Sequence, residues 1–114
     1  MIKPCMALVL GFAVLIAGAD ITGTWEIEFT FDDHSSDGGF DCVFTQQGEQ
    51  LAGKCSGGTV SVTGEVKGQN VSWHLGGEAR DTPTFTGTVD AGGTNMTGRF
   101  IIAGKGGPFS GVKR

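Results

Sequence analysis

Apolar and polar residues alternate strictly from residue 21 to residue 31. One face of this segment carries Trp25, Ile27 and Phe29, and the other carries polar residues such as Thr24 and Glu26. A period of two is typical of a β-strand with one buried side, because successive side chains of a strand point to opposite faces. The segment is therefore predicted to be the first strand of a sheet with an apolar interior.

Three pairs of later segments are predicted to form β-hairpins, with turns at residues 48–49, 68–69 and 92–93. Each turn contains glycine, and Gly48-Glu49 has the glycine-first pattern of a type II′ turn. Counting outward from the turns keeps the apolar positions on one face, as a buried side requires. The facing pairs predicted in this way include Cys42 with Cys55, Phe44 with Gly53, Val66 with Val71, Gly64 with Trp73, Val62 with Leu75, Phe85 with Phe100, and Val89 with Met96.

The whole pattern predicts eight short strands. They lie near residues 21–31, 40–47, 50–56, 59–67, 70–76, 82–90, 95–103 and 108–113. Six of them contain an inward glycine in a recurring pattern: ITGTW, LAGKC, VTGEV, FTGTV, MTGRF and FSGVK. An inward glycine lets a strand bend, or lets an aromatic ring of the neighbouring strand lie over it. Repeated curvature of this kind predicts an all-β fold, an antiparallel up-and-down barrel. A two-sheet sandwich is the alternative, and it would normally need longer crossover connections.

The composition supports a fold without helices. Glycine supplies 21 of the 114 residues, and each interior glycine destabilises a helix by about 1 kcal/mol relative to alanine. The hydrophobic fraction of 39% excludes a disordered chain.

The first 19 residues have the parts of a secretory signal peptide. Lys3 precedes an apolar run over residues 6–17, and the small residues 17–19 end the segment. The run is shorter than the ~20 residues that a membrane-spanning helix needs, which disfavours an uncleaved anchor. We therefore predict a secreted or periplasmic protein whose mature chain, residues 20–114, is a single domain without a membrane span.

Two cysteines, Cys42 and Cys55, remain after the predicted cleavage. An even number of cysteines in an exported chain favours a disulfide. The hairpin register makes them a non-hydrogen-bonded pair with Cα atoms about 4.5 Å apart, at the short end of the disulfide range. A metal or redox pair is disfavoured, because the chain has no CxxC motif and no Cys/His cluster at metal spacing. Neither a metal nor a cofactor is predicted.

Both ends of the predicted mature chain carry a resemblance, ITGTWEIEF at the start and FSGVKR at the end. Together with the hairpins, they resemble the calycin group of lipocalin-like and avidin-like up-and-down barrels. The resemblance implies that Trp25, in the Gly-x-Trp motif, plugs the closed end of the barrel. It also implies that a basic residue of the last strand, Lys113 or Arg114, packs over this indole.

The ITGTW segment is especially similar to the start of bacterial avidins. Glu26 and Ile27 stand where that family has a biotin-contacting Asn. The chain also lacks Tyr, and Trp73 is its only Trp besides Trp25. Biotin binding is therefore not predicted.

Candidate catalytic and metal-binding groups are few. The loop over residues 32–41 is rich in Asp, but it lacks the ligand spacing and terminal Glu of a Ca²⁺ loop, so a solvated loop at the barrel mouth is expected. His74 is predicted on the outward face, exposed, with Ser72 and Glu65 nearby. Nothing specifies the hydrogen-bond geometry or the oxyanion site that such a triad needs, so the protein is predicted not to be an enzyme.

Asn70 and Asn95 each begin a glycosylation sequon, Asn-Val-Ser and Asn-Met-Thr. These motifs matter only if the protein is made in a eukaryotic host.

The favoured function is that of a binding barrel whose open end admits a small apolar or amphipathic ligand. The alternative is an interior filled by side chains with no room for a ligand, because eight strands enclose a space only just wide enough for side chains. The formal charge of −4 argues against a nucleic acid partner. The inward aromatic residues predicted to line the site are Trp25, Phe29, Phe31, Phe44, Trp73, Phe85 and Phe100.

The alternative is a protein-interaction or protease-inhibitor barrel acting through loops such as 32–41 and 77–82. Small periplasmic inhibitors of secreted metalloproteases are similar barrels of about this size with one disulfide. Their N-terminal segment enters the active site of the enzyme. Here strand residues follow Asp20 at once, so the predicted mature chain has almost no such arm.

Overall fold

The computed structural model describes residues 19–76 and 82–114. The predicted signal peptide, apart from Ala19, and most of the 77–82 loop lie outside the described residues. Eight β-strands are present in the described part of the chain: β1 Gly23–Thr30, β2 Asp37–Gln47, β3 Gln50–Cys55, β4 Val60–Lys67, β5 Asn70–Leu75, β6 Thr84–Val89, β7 Asn95–Ile102 and β8 Lys105–Lys113. Within these residues, no helix is long and apolar enough to cross a membrane.

The strands form one closed antiparallel barrel in which each strand pairs with the next along the chain. The ring is completed by β8 and β1, where Phe109 lies opposite Phe29 and Lys113 lies opposite Trp25. This confirms the predicted up-and-down barrel and excludes the sandwich. Closure also leaves none of these strands with an unpaired edge.

All three predicted hairpin registers are confirmed. Cys42 lies opposite Cys55, Gly64 opposite Trp73, and Phe85 opposite Phe100. Gly64 shows why a strand residue must be small here, because an added Cβ would lie 2.6 Å from the Cβ of Trp73. The inward glycine therefore allows the aromatic residue of the neighbouring strand to lie over it.

β2 and β8 begin earlier than predicted, at Asp37 and Lys105 rather than near residues 40 and 108. The glycine pairs 38–39 and 106–107 resemble turns in the sequence, but in the structure they pair with the neighbouring strands. Their lack of a side chain allows a close backbone approach. A Cβ on the second glycine of 106–107 would collide with the carbonyl oxygen of Thr30.

The two ends of the barrel differ. At one end, here called the closed end, the tight turns after β2, β4 and β6 meet residues 19–22 and the end of β8. At the other, the open end, lie the connections at 31–36, 56–59 and 103–104, together with residue 76 and residues 82–83, which flank the fourth connection. The closed end is where Trp25 lies.

Trp25 has no exposed surface, which confirms its predicted burial. Its indole Nε1 donates a hydrogen bond of 2.8 Å to the carbonyl oxygen of Ile21, which is itself fully buried. The two basic residues at the end of the chain form polar contacts near Trp25. Lys113 Nζ donates to the carbonyl oxygen of Asp20 at 3.2 Å, and Arg114 pairs with Glu26 at 2.6 Å.

Cys42 and Cys55 are bridged, as predicted. Their Cα atoms are 4.0 Å apart, slightly closer than expected from the sequence. Both side chains point into the barrel and are buried, so the bridge occupies part of the interior. A disulfide is consistent with an oxidising, exported environment.

Candidate ligand cavity at the open end

A cavity of about 310 Å³ opens at the end of the barrel opposite Trp25. Its lining is almost entirely apolar, and Ser36 supplies the one polar side chain among the described residues that border it. The lining consists of Phe29, Phe31, Ser36, Phe40, Leu75, Pro83, Phe85, Phe100 and Ile102.

The strand alternation explains how these side chains converge. Phe29 lies near the end of β1, and Phe31 lies two residues further on, directly after the strand. Phe100 and Ile102 have the same spacing at the end of β7. Residues two apart on a strand share a face. In the barrel that face points inward, so several strands contribute an apolar side chain to the same open end.

The rings contact one another around the cavity. Phe100 lies edge to face against Phe29, with centroids 5.2 Å apart, and against Phe31, with centroids 5.0 Å apart. On the other side, Phe40 lies edge to face against Phe85 at 6.0 Å. These are favourable aromatic pair geometries, so each ring supports the position of the next.

The interior is filled below the cavity. Trp73 stacks on Phe85 with centroids 4.1 Å apart and an interplanar angle of 5°. Phe44 and Phe109 pack against the same indole. The barrel is therefore solid towards its closed end and hollow at its open end, which answers the question that the sequence left open.

The structure divides the predicted ligand-binding residues between these two regions. Four of them border the cavity, namely Phe29, Phe31, Phe85 and Phe100. The others, Trp25, Phe44 and Trp73, lie in the buried core.

Sequence reasoning missed several lining residues. Phe40, Leu75 and Ile102 have inward positions, and the same alternation would have found them: Phe40, for example, precedes Cys42 by two residues. Ser36 and Pro83 belong to connections between strands. No periodic signal marks such residues, and only the fold brings them to the cavity.

The loop at residues 31–36 forms one side of the mouth and is tied to the β7–β8 hairpin. The Asp32 backbone N–H donates to the Gly106 carbonyl oxygen at 2.9 Å, and the Asp32 carboxylate pairs with Arg99. Asp33 pairs with Lys105 at 3.7 Å. Hydrogen bonds from the side chain and backbone of Ser35 hold the pKa of Asp33 below its ordinary value, with a smaller contribution from Lys105.

The remaining candidate chemistry lies outside the cavity. His74 faces outward opposite Thr63, as predicted, but it is half-buried rather than exposed. It sits at the end of β5, where β6 packs beside it and Thr84 lies opposite. Across residues 19–76 and 82–114, no three His, Cys, Asp or Glu side chains are close enough to hold a metal ion.

The closed eight-stranded barrel is compatible with the calycin-like resemblance of the sequence. No model of a known protein family and no curated protein sequence matches the chain.

Proposed function

We propose that this barrel is a non-catalytic binding protein for a small, flat, apolar molecule held in the cavity at its open end. The observation that carries the proposal is the lining itself: the described residues that border the cavity include five phenylalanines, and the one polar side chain among them is that of Ser36. Small-molecule sites are typically apolar, preformed and few in a protein. Among the described lining residues, Ser36 by itself does not form an acid–base pair, which supports a binding role rather than a catalytic one.

The size of the cavity limits the ligand. A volume of about 310 Å³ is at the lower end of ligand pockets and equals the liquid volume of roughly ten water molecules. A two-ring aromatic molecule of about ten non-hydrogen atoms fits this space. The stacked pair of Trp73 and Phe85 closes the floor, so the cavity does not extend down the barrel axis for a long chain.

The packing of the first residues of the predicted mature chain favours this function over the protease-inhibitor alternative. Residues 20–22 lie where those inhibitors have their inserting arm, and here they pack against the closed end. The Ile21 backbone N–H donates to the Gln46 side-chain oxygen at 2.9 Å, and Ile21 is completely buried. An interaction through the open-end loops stays an alternative, and the test below bears on it.

Naphthalene is a suitable probe, because it is apolar and has ten carbon atoms. Titration followed by calorimetry or by NMR is expected to show saturable binding at a single site. Ile102→Trp fills the cavity mouth and is expected to abolish binding. Ile101→Trp is the matched control, since Ile101 is adjacent, points outward and is 53% exposed.

Equal binding by the two variants would place the naphthalene elsewhere and contradict the proposal. Absence of saturable binding to the wild-type protein would favour the loop-mediated interaction instead.

A further inference from the structure

The indole Nε1 of Trp73 is buried and has no hydrogen-bond partner among the residues that the structure describes. The side chain is 1% exposed, so water does not satisfy this donor. Trp25 offers the contrast, because its Nε1 donates to the Ile21 carbonyl oxygen at 2.8 Å. Buried polar atoms of proteins are nearly always hydrogen-bonded, and each exception calls for a physical explanation.

Trp73 lies directly behind the floor of the cavity. It stacks on Phe85 and contacts Phe40 edge to face, with centroids 6.5 Å apart. Both phenylalanines line the cavity, so a single ring thickness separates the indole from the ligand space. Phe85 is buried, whereas Phe40 is partly exposed at the mouth, and Phe40 is therefore the ring that can turn aside.

We propose that the Trp73 indole N–H is the polar contact of the ligand site, reached when the Phe40 ring turns away. The ligand is then a flat aromatic molecule that carries a neutral hydrogen-bond acceptor, such as a ring nitrogen or a carbonyl oxygen, on its leading edge. This inference rests on the proposed function and specifies the ligand class of the same site.

The chemistry of the site selects this class. An indole N–H only donates, so the complementary ligand group must accept. A carboxylate would lose its hydration without gaining a cation, because the described core contains no buried charged residue. A pure hydrocarbon would fit the lining but leave the donor unpaired, and an unpaired buried donor is costly.

Naphthalene and quinoline make a matched pair of probes, because quinoline replaces one C–H of naphthalene by an acceptor nitrogen. Isoquinoline moves that nitrogen to a second position. Their hydration in water differs, so affinities are compared between two proteins rather than between two ligands. The proteins are the wild type and Trp73→Phe, which keeps an aromatic ring against Phe85 and removes the N–H.

The expected result is that naphthalene binds both proteins with similar affinity. For each protein, the preference is the affinity for an acceptor probe divided by the affinity for naphthalene. For at least one of the two acceptor probes, this preference should be about fivefold or more lower in Trp73→Phe than in the wild type, the factor that one hydrogen bond typically supplies. A preference unchanged within about twofold for both acceptor probes would overturn the inference while the proposed function stands. Failure of every probe to bind the wild type would overturn both.

A second measurement needs no variant. In ¹⁵N-labelled wild-type protein, the Trp73 indole resonance is expected to move downfield with the acceptor probe but not with naphthalene. The Trp25 indole resonance, whose N–H is already bonded, should stay in place and acts as the internal control. A Trp73 N–H that is shifted upfield in the free protein and unmoved by every probe would instead indicate an N–H···π contact with Phe109 or Phe44, and would refute the inference.

Discussion

Trp25 of β1 lies opposite Lys113 of β8, so the first and last strands meet at the closed end of the barrel. Lys113 extends past Gly23, where an added Cβ would lie 3.1 Å from its Cε, and donates to the carbonyl oxygen of Asp20. The Trp25 indole donates to the next carbonyl, that of Ile21. Both residues therefore hold the segment that precedes β1 across the base of the barrel.

Trp25→Ala is expected to lower the free energy of unfolding by about 3–5 kcal/mol, because it leaves a cavity in a filled core and removes the bond to Ile21. Urea denaturation followed by circular dichroism measures this change. Val43→Ala is the control, since Val43 is 53% exposed, and its effect should stay within about 0.5 kcal/mol. Similar losses in the two variants would contradict the role of Trp25 as the plug of the closed end.

Reduction of the Cys42–Cys55 bridge is expected to destabilise the barrel by about 2–4 kcal/mol. The bridge joins residues 13 apart in the chain and so restricts the unfolded state. Denaturation with and without reductant measures the loss, and the double variant Cys42→Ala/Cys55→Ala should be insensitive to reductant. Two free thiols in the folded, oxidised protein would show that the predicted hairpin pairing is wrong.

Gly64→Ala is expected to cost about 1–3 kcal/mol through overpacking, because the new methyl would meet the Cβ of Trp73 and the backbone of Ser72. Gly92→Ala is a matched control, since the nearest atom to its added Cβ is the Thr94 hydroxyl oxygen at 3.9 Å. Thermal unfolding of the two variants compares them directly. Equal stability would contradict the requirement for an inward glycine beneath Trp73.

Asp90 closes the turn between β6 and β7, and its pKa is lowered to about 2. The main cause is the Asn95 side chain, whose Nδ2 donates to the carboxylate at 2.9 Å, followed by the backbone N–H groups of Thr94 and Asn95. Because the folded state lowers this pKa, the ionised carboxylate stabilises the fold at pH values above the ordinary pKa of 3.8. That stabilisation is lost as the pH falls through about 2.

The carboxyl ¹³C shift of Asp90 should therefore titrate with a midpoint near 2. Between pH 4 and pH 2, the Asp90→Ala variant should lose less stability than the wild type, because it lacks the carboxylate that becomes protonated there. A midpoint close to the ordinary value of 3.8 would show that these hydrogen bonds do not hold the carboxylate in solution.

The sequence by itself determined the number of strands and the pairing within three hairpins. A two-residue turn together with a period of two leaves one register that keeps apolar residues on a common face, and this register already pairs Cys42 with Cys55. Inward glycines at regular places also indicated the curvature that closes the sheet. These features are local, so each can be derived from neighbouring residues.

The tertiary structure decided which inward rings form the core and which border the cavity. Trp25 and Phe29 share one face of β1, yet Trp25 is fully buried and Phe29 lines the cavity. Alternation determines the face to which a side chain points. The space in front of it depends on what the other strands, the turns and residues 19–22 place there, and those residues are distant in sequence.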